Sequence, residues 1–135
     1  MAIADGSGDV IKDFGILVHK GTPKASTAIT KGEVLVNQNG EGWNPSTTTD
    51  TGPFGVALED AASAASPDPI KILLRGVVRV TAGAAVDEGE WVIPHTGGEV
   101  KPFGSPAGTG NLKQIIGMAL EDITATAAGK VLLGY

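Results

Sequence analysis

The chain has 135 residues and no cysteine, so it fits a single domain that must be held together by burial alone, without disulfides or thiolate metal sites. Its formal charge of −5 argues against nucleic acid as a direct partner, because neutralising phosphates takes a basic face. A hydrophobic content of 41% against 19% charged residues excludes a disordered chain, and no apolar run is long enough to span a bilayer.

Residues 1–13 read as a polar N-terminal arm in which Ile3, Val10 and Ile11 are isolated among Gly and Asp. The opening Met1-Ala2-Ile3-Ala4 lacks the basic segment and continuous apolar stretch of a secretory signal, so export is not expected. Residues 14–135 read as one β domain. Ile16-Leu17-Val18 forms a first strand, Gly21-Thr22-Pro23 a turn, and Val34-Leu35-Val36 a second strand after the Lys31-Gly32 turn. Trp43 precedes a polar loop that ends at Pro53, and Phe54 to Leu58 returns as a strand. Glu59 to Pro67 is a wide loop. Ile70 to Val80 is nearly continuous apart from Arg75-Gly76, which predicts either two strands or one strand bent at a glycine bulge. Beyond it come Trp91-Val92-Ile93, a Gly97-Gly98 turn, Val100 to Phe103, a Gly- and Pro-rich loop from 104 to 110, a strand around Ile115 to Leu120, and a closing strand at Val131-Leu132-Leu133. Many short strands separated by turn residues, with twenty Gly and eight Pro in the chain, predict an all-β fold: a small barrel or sandwich.

The order of motifs repeats. Ala28-Ile29-Thr30-Lys31-Gly32-Glu33, Gly55-Val56-Ala57-Leu58-Glu59-Asp60 and Lys71-Ile72-Leu73-Leu74 return as Ala85-Val86-Asp87-Glu88-Gly89-Glu90, Gly117-Met118-Ala119-Leu120-Glu121-Asp122 and Lys130-Val131-Leu132-Leu133. Pro45 and Pro102 also correspond. Two duplicated β units, approximately 28–76 and 85–135, are therefore expected to share one core, with Leu58 and Leu120 buried in equivalent strands. The repeated positions are turn formers and apolar strand residues, so the repetition specifies a shape and carries no evident chemistry.

Candidate chemistry is sparse. His19 and His95 fall at unmatched places, and neither has an acidic or nucleophilic residue at motif spacing, so no catalytic residue is assigned. Glu59-Asp60 and Glu121-Asp122 tempt as metal ligands, but each ends an apolar strand and lacks the alternating oxygens and Gly of a calcium loop; they read as turn residues. Gly21 to Thr27 lacks the Gly-Lys-Ser/Thr ending of a phosphate loop. Trp43, Trp91, Phe54 and Phe103 read as packing residues in preference to a sugar-stacking platform. No metal, cofactor or enzymatic role is expected. Arg75 and Arg79, flanking Gly76-Val77-Val78, lie on one strand face and are candidates for an interface, with an ordinary solvated face as the equal alternative.

Taken together, Ala28-Ile29 with Gly32-Glu33 and Leu35-Val36, Gly55-Val56-Ala57-Leu58-Glu59-Asp60, Arg75-Gly76-Val77-Val78, and the closing Ile116-Gly117 and Ala119-Leu120 with Val131-Leu132-Leu133 resemble the capsid cement, or head decoration, proteins of tailed double-stranded DNA phages. The resemblance spans about Ile16 to the C-terminus. It implies a structural virion protein, commonly a homotrimer, made in the host cytoplasm and bound to the major capsid protein on the outer surface of the expanded head. The arm carries no matching motif; Ile3, Val10 and Ile11 are candidates for capsid contact because an extended segment of this kind adds to an exposed strand edge. The alternative readings are a carbohydrate- or host-binding module displayed on a virion, which requires aromatic rings side by side on the surface, or a non-catalytic β accessory domain. A lipoyl-type accessory domain needs a lysine at the hairpin joining its halves, and Thr81-Ala82-Gly83-Ala84 has none.

Overall fold

The computed structural model describes residues 15–104 and 111–134. The fold is all-β, as the turn-rich sequence implies. Nine strands are present among the described residues: β1 (Leu17–Gly21), β2 (Val34–Val36), β3 (Asn44–Pro45), β4 (Phe54–Ala57), β5 (Ile70–Thr81), β6 (Trp91–Pro94), β7 (Val100–Pro102), β8 (Gly117–Ala119) and β9 (Ala128–Leu133). Eight of them follow the path β3-β2-β4-β5-β9-β8-β6-β7, every pair antiparallel, and β1 pairs with β5 off that path. The sheet curls into a half-barrel.

Ile70 to Thr81 is a single strand, and it serves both halves of the molecule. Its first part pairs with β1 and β4, while Gly76 to Thr81 pairs with β9. The two parts join at Gly76, whose φ of 137° suits glycine, and the β1 register slips opposite Leu74, with Leu17 facing Arg75 and Val18 facing Leu73. Both ends of the described chain arrive there. Gly15 O lies 3.3 Å from where a Cβ on Gly76 would stand, and a Cβ on Gly134 would stand 2.6 Å from Leu74 O.

The turns show why the same residue types occur in both halves. Gly32 and Gly89 take φ of 94° and 88°, and their N–H groups donate to Ala57 O at 2.8 Å and Ala119 O at 2.9 Å. The Glu33 carboxylate accepts from the Thr30 N–H, and the Glu90 carboxylate from the Asp87 N–H. Asp60 Oδ1 accepts from the Lys31 N–H at 2.7 Å; Asp122 Oδ1 accepts from the Glu88 N–H at 2.8 Å. Each acid thus replaces water on a turn N–H that no strand satisfies.

Alternation along the strands divides the core. Val34 and Val56 join Val80, Val92, Ala119 and Val131 in the main cluster, while Leu35, Ala57 and Ile72 face the other way into a smaller cluster with Ile29, Ile70 and Trp43. The first sheet therefore lays one face on the interior of the second and buries its other face with its own residues. The two halves close this packing with different volumes. Parallel bridges join Pro23 to Trp43 and Ala82 to Val100. Beside the first bridge stands Gly21, where a Cβ would come within 2.5 Å of Trp43 Nε1; beside the second stands Val80. One large ring against a glycine in the first half does the work of two valines in the second.

Leu58 and Leu120 are only half-buried, contrary to the sequence expectation. They follow the last residues of β4 and β8, and the buried positions are Val56, Ala57 and Ala119. The leucine N–H groups still donate to Lys71 O and Lys130 O, at 2.9 Å each, but the side chains stay partly in solvent. Equilibrium unfolding is expected to show Leu35→Ala costing about 2–5 kcal/mol, and Leu58→Ala or Leu120→Ala about 1 kcal/mol. Gly21→Val is expected to destabilise by about 1–3 kcal/mol through overpacking. Combined with Trp43→Val, it should be more stable than the sum of the single changes by about 1 kcal/mol or more, which a double-mutant cycle measures.

Candidate interaction face

The residues that carry chemistry in the sequence are dispersed. His19 is exposed, its ring centroid 6.2 Å from that of Trp43. His95 is half-buried, with Nδ1 3.4 Å from a Glu99 carboxylate oxygen. Asp60 and Asp122 act as turn acceptors, and Glu121 Oε1 accepts from the Lys130 N–H at 3.0 Å. Among the described residues no group of three or more His, Cys, Asp or Glu is gathered to hold a metal ion. An open groove of about 510 Å³ runs between the Thr30–Glu33 turn, Arg79 and the Gly97–Glu99 segment. It brings one arginine, one lysine and two glutamates to a solvent-open cleft, with Glu33 already committed to its turn.

The described tryptophans and Phe54 are spread over the fold: Trp43 is buried in the smaller cluster with His19 6.2 Å away, Phe54 packs partly on the main core, and Trp91 is 40% exposed on another strand.

Arg75 and Arg79 are both exposed on β5, four residues apart. Arg79 Nη1 stands 3.7 Å from Glu121 Oε1 across the sheet, a solvated pair of small energetic weight. Ile3, Val10 and Ile11 lie outside the described residues.

The structure brings together what the linear sequence did not reveal. Val77, on β5 between the two arginines, pairs with Leu132 of β9; Leu132 pairs with Met118 of β8; Met118 pairs with Trp91 of β6. This is an apolar row across four strands on the face opposite the main core. Val77 is 55% exposed, and Met118 and Leu132 are half-buried. One step along β5 and β9, Arg79 pairs with Lys130 and gives that end of the row a basic border. At its other end Trp91 follows directly on the Asp87-Glu88-Gly89-Glu90 turn, to which Asp122 is bonded, an acidic border. The corresponding row in the first half is Val18, Leu73, Val56 and Val34. Its last three members are 5%, 0% and 0% exposed. The one signal in the sequence was Val77 and Trp91 standing out of phase with the buried Val80 and Val92; grouping them takes the register of three strand pairs.

If the paired acids are turn acceptors, Asp60→Ala and Asp122→Ala should each cost about 1 kcal/mol. Thermal melts with and without a chelator should coincide; a drop in Tm with chelator would assign these acids to a metal instead.

Three comparisons bear on kinship. No curated protein matches the chain. Its structure is similar to that of the N base of the head fiber protein gp8.5 of bacteriophage phi29, with a TM-score of 0.64 and 14% identity over 87% of this chain and 95% of that one. At that identity the likeness establishes a shared fold. A family model described as phage cement protein matches residues 18–134, both halves of the sheet from β1 to the end of β9. The chain belongs to the phage cement protein family.

Proposed function

We propose that this cement protein binds the major capsid protein on the outer surface of the expanded head, as a homotrimer, and acts there without catalysis. The observation that carries the reading is the family match across residues 18–134, which leaves outside it only the first seventeen residues and the last. That membership makes the protein a structural component of the virion that stabilises the capsid. The acidic charge, the committed turn carboxylates and the dispersed histidines support a role of adhesion.

The physics of such a role is linkage. A protein that binds the mature lattice and not its dissociated subunits stabilises the lattice by about 2.7 kcal/mol per site at a hundredfold excess over the dissociation constant. Three linked copies multiply weak contacts through effective concentration, so each contact need only be modest. Within this reading Ile3, Val10 and Ile11 of the arm contact the capsid, and Arg75 and Arg79 belong to an interface.

Co-sedimentation with decoration-free expanded heads is the direct test. The protein should pellet with them, raise their disruption temperature, and show no affinity for duplex DNA at physiological salt. Failure to pellet under any salt condition would overturn the reading. Deleting Ala2 to Lys12 should weaken head binding and leave the melting temperature of the free protein unchanged.

A further inference from the structure

We infer that the row Val77-Leu132-Met118-Trp91 is the surface on which a second copy of this chain seats, head to tail, the basic end of one copy's row meeting the acidic end of the next. The inference rests on the homotrimer reading above and identifies its interface.

Three observations converge. The first is internal precedent. The corresponding row in the first half, Val34, Val56 and Leu73 beside Val18, is the one the fold buries, chiefly against the interior of the second sheet. Leu132, Met118 and Trp91 stand at the places of the buried Leu73, Val56 and Val34, and Val77 at the place of Val18, which is itself 44% exposed; in the second row Val77 is 55% and Trp91 40% exposed. A contiguous apolar row on a sheet face is what an association surface presents.

The second is the chemistry of the row's borders. At the β5 end Arg75 and Arg79 stand two residues to either side of Val77 and Lys130 pairs with Arg79, three cations against the one carboxylate of Glu121, which lies 3.7 Å from Arg79. At the β6 end the turn before Trp91 carries Asp87, Glu88 and Glu90, with Asp122 bonded to the Glu88 N–H, and no basic residue lies between Ala85 and Val92. The matching turn of the first half includes Lys31. A row that is basic at one end and acidic at the other is complementary to a copy of itself placed in series. Placed row against row in the same direction, it sets like charges together; two rows run in opposite directions also match, so a closed dimer in place of a trimer at sedimentation equilibrium would overturn the head-to-tail arrangement.

The third is closure. Contact between different patches on identical subunits is heterologous, and it ends either in a ring or in an open filament. A three-membered ring consumes every basic end and every acidic end. An apolar centre with an arginine-bearing border is the composition of a stable interface between proteins.

Sedimentation equilibrium on the full chain reads the proposal, with thermal melts to certify each variant as folded. The wild type should associate. Val77→Asp, a change at an exposed site, should yield a monomer with an unaltered melt. Arg75→Glu with Arg79→Glu, and separately Asp87→Lys with Glu88→Lys, should each weaken association at least tenfold. The chain carrying all four changes should recover to within about threefold of wild type, because the charge pattern is then reversed at both ends. A wild type monomeric at all concentrations would overturn the proposal, as would association indifferent to either charge reversal or a folded fourfold variant that stays dissociated. Head binding is scored separately: a monomer that still pellets with heads sinks this interface and leaves the cement function standing, and an oligomer that never pellets does the reverse.

Discussion

Everything in this molecule hangs on one long strand that serves two sheets. β5 pairs with β1 and β4 along its first part and with β9 along its second, so neither half has a complete set of backbone hydrogen bonds without it. The break at Gly76 lets the strand change the sheet it belongs to without ending. That in turn lets the outer valines of the first half, Val34 and Val56, meet the interior of the second. A residue with a Cβ at position 76 would have to adopt a backbone conformation that side chains disfavour, next to Gly15 O and Leu73 Cδ1.

The second sheet supplies most of the large cluster, and the first contributes to both clusters, one from each face. The asymmetry between the halves is therefore one of position. The first half is enclosed on both faces, by Trp43 on one side and the second sheet on the other, and the second half is enclosed on one. The exposed row follows from being last in the series. Stacked repeats in general leave such a terminal face, which is either capped with polar residues or used for contact. Here it keeps Val, Leu, Met and Trp.

Much of the fold was legible because its signals are local. Strand alternation and turn glycines placed β2, β4, β6 and β9, and Arg75-Gly76 marked the bend in β5. Asp60 and Asp122 stand as turn acceptors after each repeated strand, although the hydrogen bonds that hold them there link residues 29 and 34 positions apart and were invisible in the chain. Leu58 and Leu120 were misplaced for a related reason: at the last paired position of a strand, hydrophobicity alone does not show how far the side chain is covered. The apolar row lay beyond reach, since its four members come from four strands between positions 77 and 132. Trp43 shows the same limit from the other side. Its burial depends on the absence of a side chain at Gly21, a pairing that only the parallel bridge at Pro23 makes physical.

Because Gly15 and Gly134 both abut the middle of β5, the described chain enters and leaves the fold at one place. Each neighbouring strand is about 5 Å from β5, so the two ends are separated by about 10 Å at most across the sheet. A short linker of a few residues spans that gap, and new ends opened in the exposed Ala62–Ser66 loop would then leave every strand pair intact. Segments fused before Gly15 and after Gly134 would emerge side by side, from the same point on the surface, and would compete for the same space.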